Sequence, residues 1–212
     1  MNKIYSFLLS FLVCSCVIGQ GSVIQVQDFE SNMNGWHSFT LSGFGAFTRG
    51  NEAHFASQNF SMPPLAGSTF SIGYNDAQAG PSAPEADVYV VTPVSDWSMY
   101  DSVRISFNFY NTILDDESSS LFINETGTLE TLDGLYLPLT AVDDWSSAYY
   151  TLVNSPNHYD LSSISIGFNY YDYEGDWWYG LLLDNISIVG YKNAENEICA
   201  EAISLTPVSF CH

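Results

Sequence analysis

The sequence predicts an all-β chain folded as a two-layer antiparallel β-sandwich of jelly-roll type. Two observations carry this. Apolar residues recur at every second position over 103–109, 163–170 and 183–189, which is the period of a strand with one buried face. Turn-forming clusters at 79–84, 114–120 and 154–157 cut the chain at short intervals, and no stretch shows a helical apolar period. Many short strands with frequent turns read as a sandwich or barrel, and a two-sheet jelly roll protects its edges by packing and by short strands.

The predicted strands, in order, cover 23–29, 36–41, 44–48, 52–57, 68–74, 87–92, 102–110, 120–124, 147–153, 162–171 and 180–190. Val, Ile, Thr and aromatic residues, which suit a pleated half-buried surface, dominate most of them. The chain has 212 residues, enough for one sizeable domain plus ends. Aromatics make up 16% and charged residues only 13%, a balance that argues against disorder.

Residues 1–19 read as a cleavable signal peptide. Lys3 supplies the positive start, 4–18 is almost wholly apolar, and Val17, Ile18 and Gly19 precede a cut ahead of Gln20. A membrane anchor is the competing reading, but the run falls short of the ~20 apolar residues of a spanning helix. Lipidation at Cys16 is a variant. The expected product is secreted or held at the cell surface, without membrane insertion after cleavage. Residues 20–191 form the expected sandwich domain, and 192–212 a polar linker and tail. Cys199 and Cys211 lie in that tail and could pair in an exported protein, and 20–198 holds no cysteine.

The formal net charge is −20. Without Lys3, the fixed cations are Arg49, Arg104 and Lys192. Nucleic-acid binding rests on many Lys and Arg contacts to phosphate, so nucleic acid is excluded as a partner. Catalytic spacings are missing as well: there is no His-Glu-x-x-His, no Gly-x-Ser-x-Gly and no phosphate-cradling glycine loop. A glycosidase needs two carboxyls facing each other across the scissile bond. The neighbouring pairs Asp115–Asp116 and Asp143–Asp144 point to opposite faces on a strand and are solvated on a loop.

One segment invites a ligand. Residues 169–180 combine six aromatics with three acids. Aromatic faces stack on sugar rings while Asp and Asn accept hydroxyl hydrogen bonds, a mixture that binding sites use. Strand alternation turns Tyr171 and Tyr173 away from Tyr170 and Asp172, so the aromatics do not all fill a core. Tyr171, Tyr173, Trp177 and Trp178 are the candidate contacts. Packing of the aromatics into the core is the competing reading.

Three motifs, taken in order, resemble one known family. They are Asp28–Phe29–Glu30–Ser31 with Gly35–Trp36, then 87–93 from Asp87 to Pro93, then 184–190 from Asp184 to Gly190. The set resembles the opening, middle and closing motifs of the cleaved-adhesin and choice-of-anchor-J modules of secreted bacterial proteins, related in form to MAM domains. The resemblance covers 24–190 and implies the same jelly roll. It also implies a structural Ca²⁺ between the first and last strands, with Glu30 and Asp184 as ligands and Asp28 and Asp87 as further candidates. Val88 and Tyr89 stand where that family often carries Asp and Trp. Capping of strand ends is the other reading of Glu30 and Asp184. Residues 199–205 resemble the opening of a second module, which would make 192–212 a linker and the start of a truncated second domain.

The reading is a secreted, non-catalytic adhesion or carbohydrate-binding module, accessory to a larger extracellular protein, with a glycan or a host or matrix glycoprotein as partner. A ligand-free structural spacer and a glycan hydrolase are the alternatives.

Overall fold

A computed structural model describes residues 21–58, 60–64, 67–76, 85–113, 117–125, 134–173 and 180–192. The signal segment, Trp177, Trp178, Cys16, Cys199 and Cys211 lie outside the described residues.

Among the described residues, eleven strands and one short helix follow in the order β1 (Gly21–Gln27), β2 (His37–Ser42), β3 (Thr48–Gly50), α1 (Glu52–Ala56), β4 (Ser71–Asn75), β5 (Ala86–Val91), β6 (Ser102–Thr112), β7 (Glu117–Asn124), β8 (Leu135–Leu139), β9 (Ser146–Val153), β10 (Ser165–Asp172) and β11 (Gly180–Tyr191). They form two antiparallel sheets. One has the order β3-β4-β11-β6-β9, with β1 also on β11; the other has the order β2-β5-β10-β7-β8. The predicted two-layer antiparallel sandwich is the observed fold.

Alternation builds the core. Val88 and Val90 of β5, Leu121 and Ile123 of β7, and Ile166, Phe168 and Tyr170 of β10 face inward from one sheet. Val103, Ile105, Phe107 and Phe109 of β6 and Leu181, Leu183, Ile186 and Ile188 of β11 meet them from the other. Phe168 is fully buried, stacked on Trp36 at 6.1 Å and edge-on to Phe107 at 4.8 Å. Such aromatic pairs add to plain area burial.

A second, smaller cluster covers the outer face of the β11 sheet. Phe55 of α1, Phe60 and Met62 pack there on Tyr110 and Leu182.

Three predicted elements differ. Residues 52–57 were expected as a strand, but 52–56 form α1. The Asn51 side chain accepts from His54 N at 2.9 Å, and Glu52 sits in the first turn. Cap and acid together favour a helix start over extension. Within the predicted strand 44–48 only Thr48 is extended, because Gly43 and Gly45 adopt positive φ and turn the chain. Finally, 135–139 forms β8, a strand the pattern did not announce. It carries Pro138 and lies at a sheet edge, where proline is tolerated.

Candidate functional site

β11 changes partner midway. Its Gly180–Leu183 stretch pairs with β4, and its Ile186–Tyr191 stretch pairs with β1 along the same edge. Between them the register with β6 shifts at Asp184–Ser187, and Asn185 takes a left-handed φ of 50°. A bulge of this kind re-aims a side chain. The residues just after β1 and just before β4 converge on this break, bringing Asp28, Glu30 and Ser68 to Asp184.

Each part of that junction is held. Asp28 Oδ1 accepts from Glu30 N at 3.1 Å, which tightens the turn around Phe29, a buried residue at φ 55°. The Arg49 guanidinium donates to the carbonyls of Phe29 and Glu30 and lies 3.7 Å over the Phe70 ring. Glu30 Oε1 accepts three hydrogen bonds, from Ser68 Oγ (2.7 Å), Thr69 N (2.6 Å) and Phe70 N (3.0 Å). Those bonds, with Arg49 adding its charge, hold the Glu30 carboxyl below the ordinary carboxylate range.

Asp184 is the opposite case. It is fully buried; Oδ1 accepts from Asn185 N at 2.6 Å, and Oδ2 has no hydrogen-bond partner. Burial pushes its carboxyl up to about 6; the charges of Glu30 and Asp28 add to that, while Ser68 and the Asn185 amide oppose it. Asp184 lines a cavity of about 330 Å³ with Asn51, Glu52, Ser68, Thr69 and Ser71 among the other walls. Ser71 Oγ is likewise buried without a partner.

The donor set is all oxygen, with one carboxylate oxygen unsatisfied and buried, and that chemistry fits a hard cation such as Ca²⁺. Among the described residues no three His, Cys, Asp or Glu side chains are grouped to hold a metal. Hydroxyl, carbonyl or water oxygens would have to complete the shell. Asp87 lies apart from this junction, on the other sheet.

Asp87 belongs to the outward face of the β5–β10 sheet. One cross-strand row runs Phe39, Tyr89, Asn169, Ser120, Pro138; the next runs His37, Val91, Gly167, Phe122, Tyr136. Phe39 stacks on Tyr89 at 5.0 Å with rings 3° from parallel. Tyr89 packs edge-on to Phe122 at 5.5 Å, and its hydroxyl meets that of Tyr136 at 2.9 Å. Burial, reinforced by the Tyr136 hydroxyl, raises the Tyr89 phenol far above its ordinary value. Asn169 Nδ2 donates to Asp87 Oδ1 at 2.8 Å. Burial raises the Asp87 carboxyl, with Asn169 and Tyr89 pulling the other way.

Tyr171 pairs with Asp87 and is half-buried; Tyr173 is 59% exposed beyond the end of β10. Leu41 and Phe44, from the strand and loop beside Asp87, are also exposed. Tyr170 and Asp172 point the other way and are fully buried.

Phe39 and Tyr136 were not singled out from the sequence, and Tyr89 and Asn169 were not named among the candidate contacts. Alternation within 87–91 places Asp87, Tyr89 and Val91 on one side. The neighbours that turn these into a surface come from strands about 50 to 80 residues away.

No protein-family model matches the chain, and no curated protein does. Solved structures are similar. The K1 cleaved adhesin domain of Lys-gingipain from Porphyromonas gingivalis W83 aligns with a TM-score of 0.52 at 16% identity, over 80% of this chain and 98% of that one. The K3 cleaved adhesin domain of the same protein gives 0.51 at 15% identity, over 80% and 99%. A family 11 carbohydrate-binding module of a Clostridium thermocellum cellulosomal cellulase gives 0.46 at 12% identity, over 84% and 98%. At these identities the likeness is one of fold: this chain is built as a cleaved-adhesin-like jelly-roll sandwich.

Proposed function

We propose that the protein is an exported, non-catalytic module that binds glycan through the outward face of the β5–β10 sheet, as an accessory part of a larger extracellular protein. One observation carries this reading. Tyr171 and Tyr173 stand exposed or half-exposed beside the Asp87–Asn169 pair, and the stacked Phe39–Tyr89 rings continue the same face. Aromatic surface with a few fixed polar groups is the composition that small-ligand sites use. An exposed aromatic cluster marks an interaction surface. The adhesin domains that share the fold are parts of a larger protein by their own description, which supports the accessory role. Among the described residues no helix is long and apolar enough to cross a membrane.

A glycan array followed by calorimetry tests it. Binding is expected to change little with salt, because ring stacking and hydroxyl hydrogen bonds drive it. Tyr171→Ala and Tyr173→Ala, and Trp177→Ala and Trp178→Ala in the same aromatic segment, are each expected to weaken it about tenfold, about 1.4 kcal/mol. If no glycan binds, or all four variants bind as well as wild type, the spacer reading replaces this one.

We also infer a structural Ca²⁺ at the β11 junction, held by Asp184 and Glu30 with Asp28 beside them. The unsatisfied Asp184 Oδ2 supports it. In that role the ion would tie the end of β1 and the start of β4 to the middle of β11.

A further inference from the structure

A second region faces a cavity at the opposite end of the β5–β10 sheet from Tyr171. β7 ends at Asn124, so Glu125 follows it out of the sheet; Gly134 precedes β8, which begins at Leu135 beside it. The 154–160 loop closes over this end. It is pinned at its base by Asn154 Nδ2, which donates to the carbonyls of Ser98 (3.1 Å) and Tyr100 (3.0 Å). Its interior is tied by His158 N to Ser155 O (2.9 Å) and Tyr159 N to Val153 O (3.3 Å). The loop is therefore shaped in advance of any ligand.

Two abutting cavities open here. One of about 590 Å³ is lined by Ile123, Glu125, Gly134, Leu135, His158 and Tyr159, with Asn157 also on its wall. The other, about 560 Å³, shares Glu125, His158 and Tyr159 and adds Asp160. Both lie in the size range of small-ligand sites. Glu125 Oε1 is buried and has no hydrogen-bond partner. Glu125 and Tyr159 line both cavities together; burial, with the charge of Glu125 adding to it, raises the Tyr159 phenol.

We propose that this end cleft binds the terminal sugar of a glycan, with Glu125 accepting a hydroxyl hydrogen bond. An unsatisfied buried carboxylate oxygen calls for a donor, and a hydroxyl bonded to a carboxylate makes a short, strong hydrogen bond. The Tyr159 ring and the Ile123 and Leu135 side chains supply apolar wall for the C–H side of a sugar ring. His158 and Asn157, both exposed at the rim, supply further polar contacts. The proposal rests on the glycan-binding reading but concerns a different place, one that takes a chain end instead of a chain's length.

The test is an amide-shift titration of the protein in solution. The probes are the methyl β-glycosides of glucose, galactose and N-acetylglucosamine, taken to about 10 mM, enough to fill most of a site with a Kd near 1 mM. The expected result is saturable shifts at Gly134, Leu135 and 157–160 for at least one probe. Glu125→Gln keeps the shape and is expected to weaken that binding at least tenfold. His158→Ala, an exposed change with little folding risk, is expected to weaken it a few-fold.

The proposal is overturned if these amides stay still with all three glycosides, or if Glu125→Gln and His158→Ala both bind as wild type does. It is also overturned if Ca²⁺ alone, added as a control, produces the same shifts. An oligosaccharide that moves Asp87 and Tyr171 amides while the end cleft stays silent would sink this site and leave the sheet-face reading standing. Silence at both places would sink both.

Discussion

Replacing Asp184 by Asn removes its charge and keeps its shape, and this isolates the role of that carboxylate. Folding lifts its pKa from 3.8 to about 6. At about 1.4 kcal/mol per pKa unit, the ionised group costs the calcium-free fold about 3 kcal/mol at neutral pH. The sign follows from the direction. A carboxyl raised on folding favours the native state below its unfolded value near 3.8, and that advantage is gone once pH passes about 6. In chelator at pH 7, Asp184→Asn is therefore expected to be more stable than wild type by up to about 3 kcal/mol. For a domain of this size that is a Tm higher by about 6–12 °C. At pH 4 most of the difference vanishes.

With the proposed Ca²⁺ bound, the ranking is expected to reverse. An ion that binds only the native state adds about 4 kcal/mol at a thousandfold excess over its Kd, and the variant has lost the oxygen that called for it. Scanning calorimetry in chelator and in excess Ca²⁺, from pH 4 to 8, reads all of these quantities. A variant less stable than wild type in chelator at pH 7, or one that keeps the full calcium response, would refute the reasoning.

Two further outcomes follow from the packing and the sheet face. Phe168→Ala empties a fully buried site between Trp36 and Phe107 and is expected to cost about 3–5 kcal/mol, read as a lower urea midpoint at unchanged slope. Asp87 is also raised by burial, so its stabilising contribution is present below the ordinary carboxylate range and fades as pH rises through its raised value. Asp87→Asn is expected to flatten stability against pH just above that range, and an unchanged pH profile would count against the assignment.

The strand period of 103–109 and 163–170 was enough to specify two antiparallel layers, because alternation alone decides which side chains a sheet can bury. It also turned Tyr171 and Tyr173 away from Tyr170 before any partner strand was known. Local chemistry overrode the pattern where it was strong: Asn51 capped a helix at 52–56, and the glycines at 43 and 45 broke an expected strand. β8 escaped notice because its Pro138 argues against a central strand and only an edge position tolerates it.

The acidic motifs at 28–31 and 184–190 were visible as motifs, but their chemistry was not. Asp184 Oδ2 lacks a partner at the point where β11 bulges and β4 hands over to β1, and that handover depends on the register of three strands far apart in sequence. The same holds for Phe39 beside Tyr89 and for Glu125 beside Tyr159. By itself the sequence determined the fold class, the alternating faces and the poverty of cations, since these depend on composition and neighbours along the chain. Tertiary structure alone decided which oxygen is left without a donor and which rings share a face, since burial and hydrogen-bond satisfaction depend on what the distant strands bring alongside.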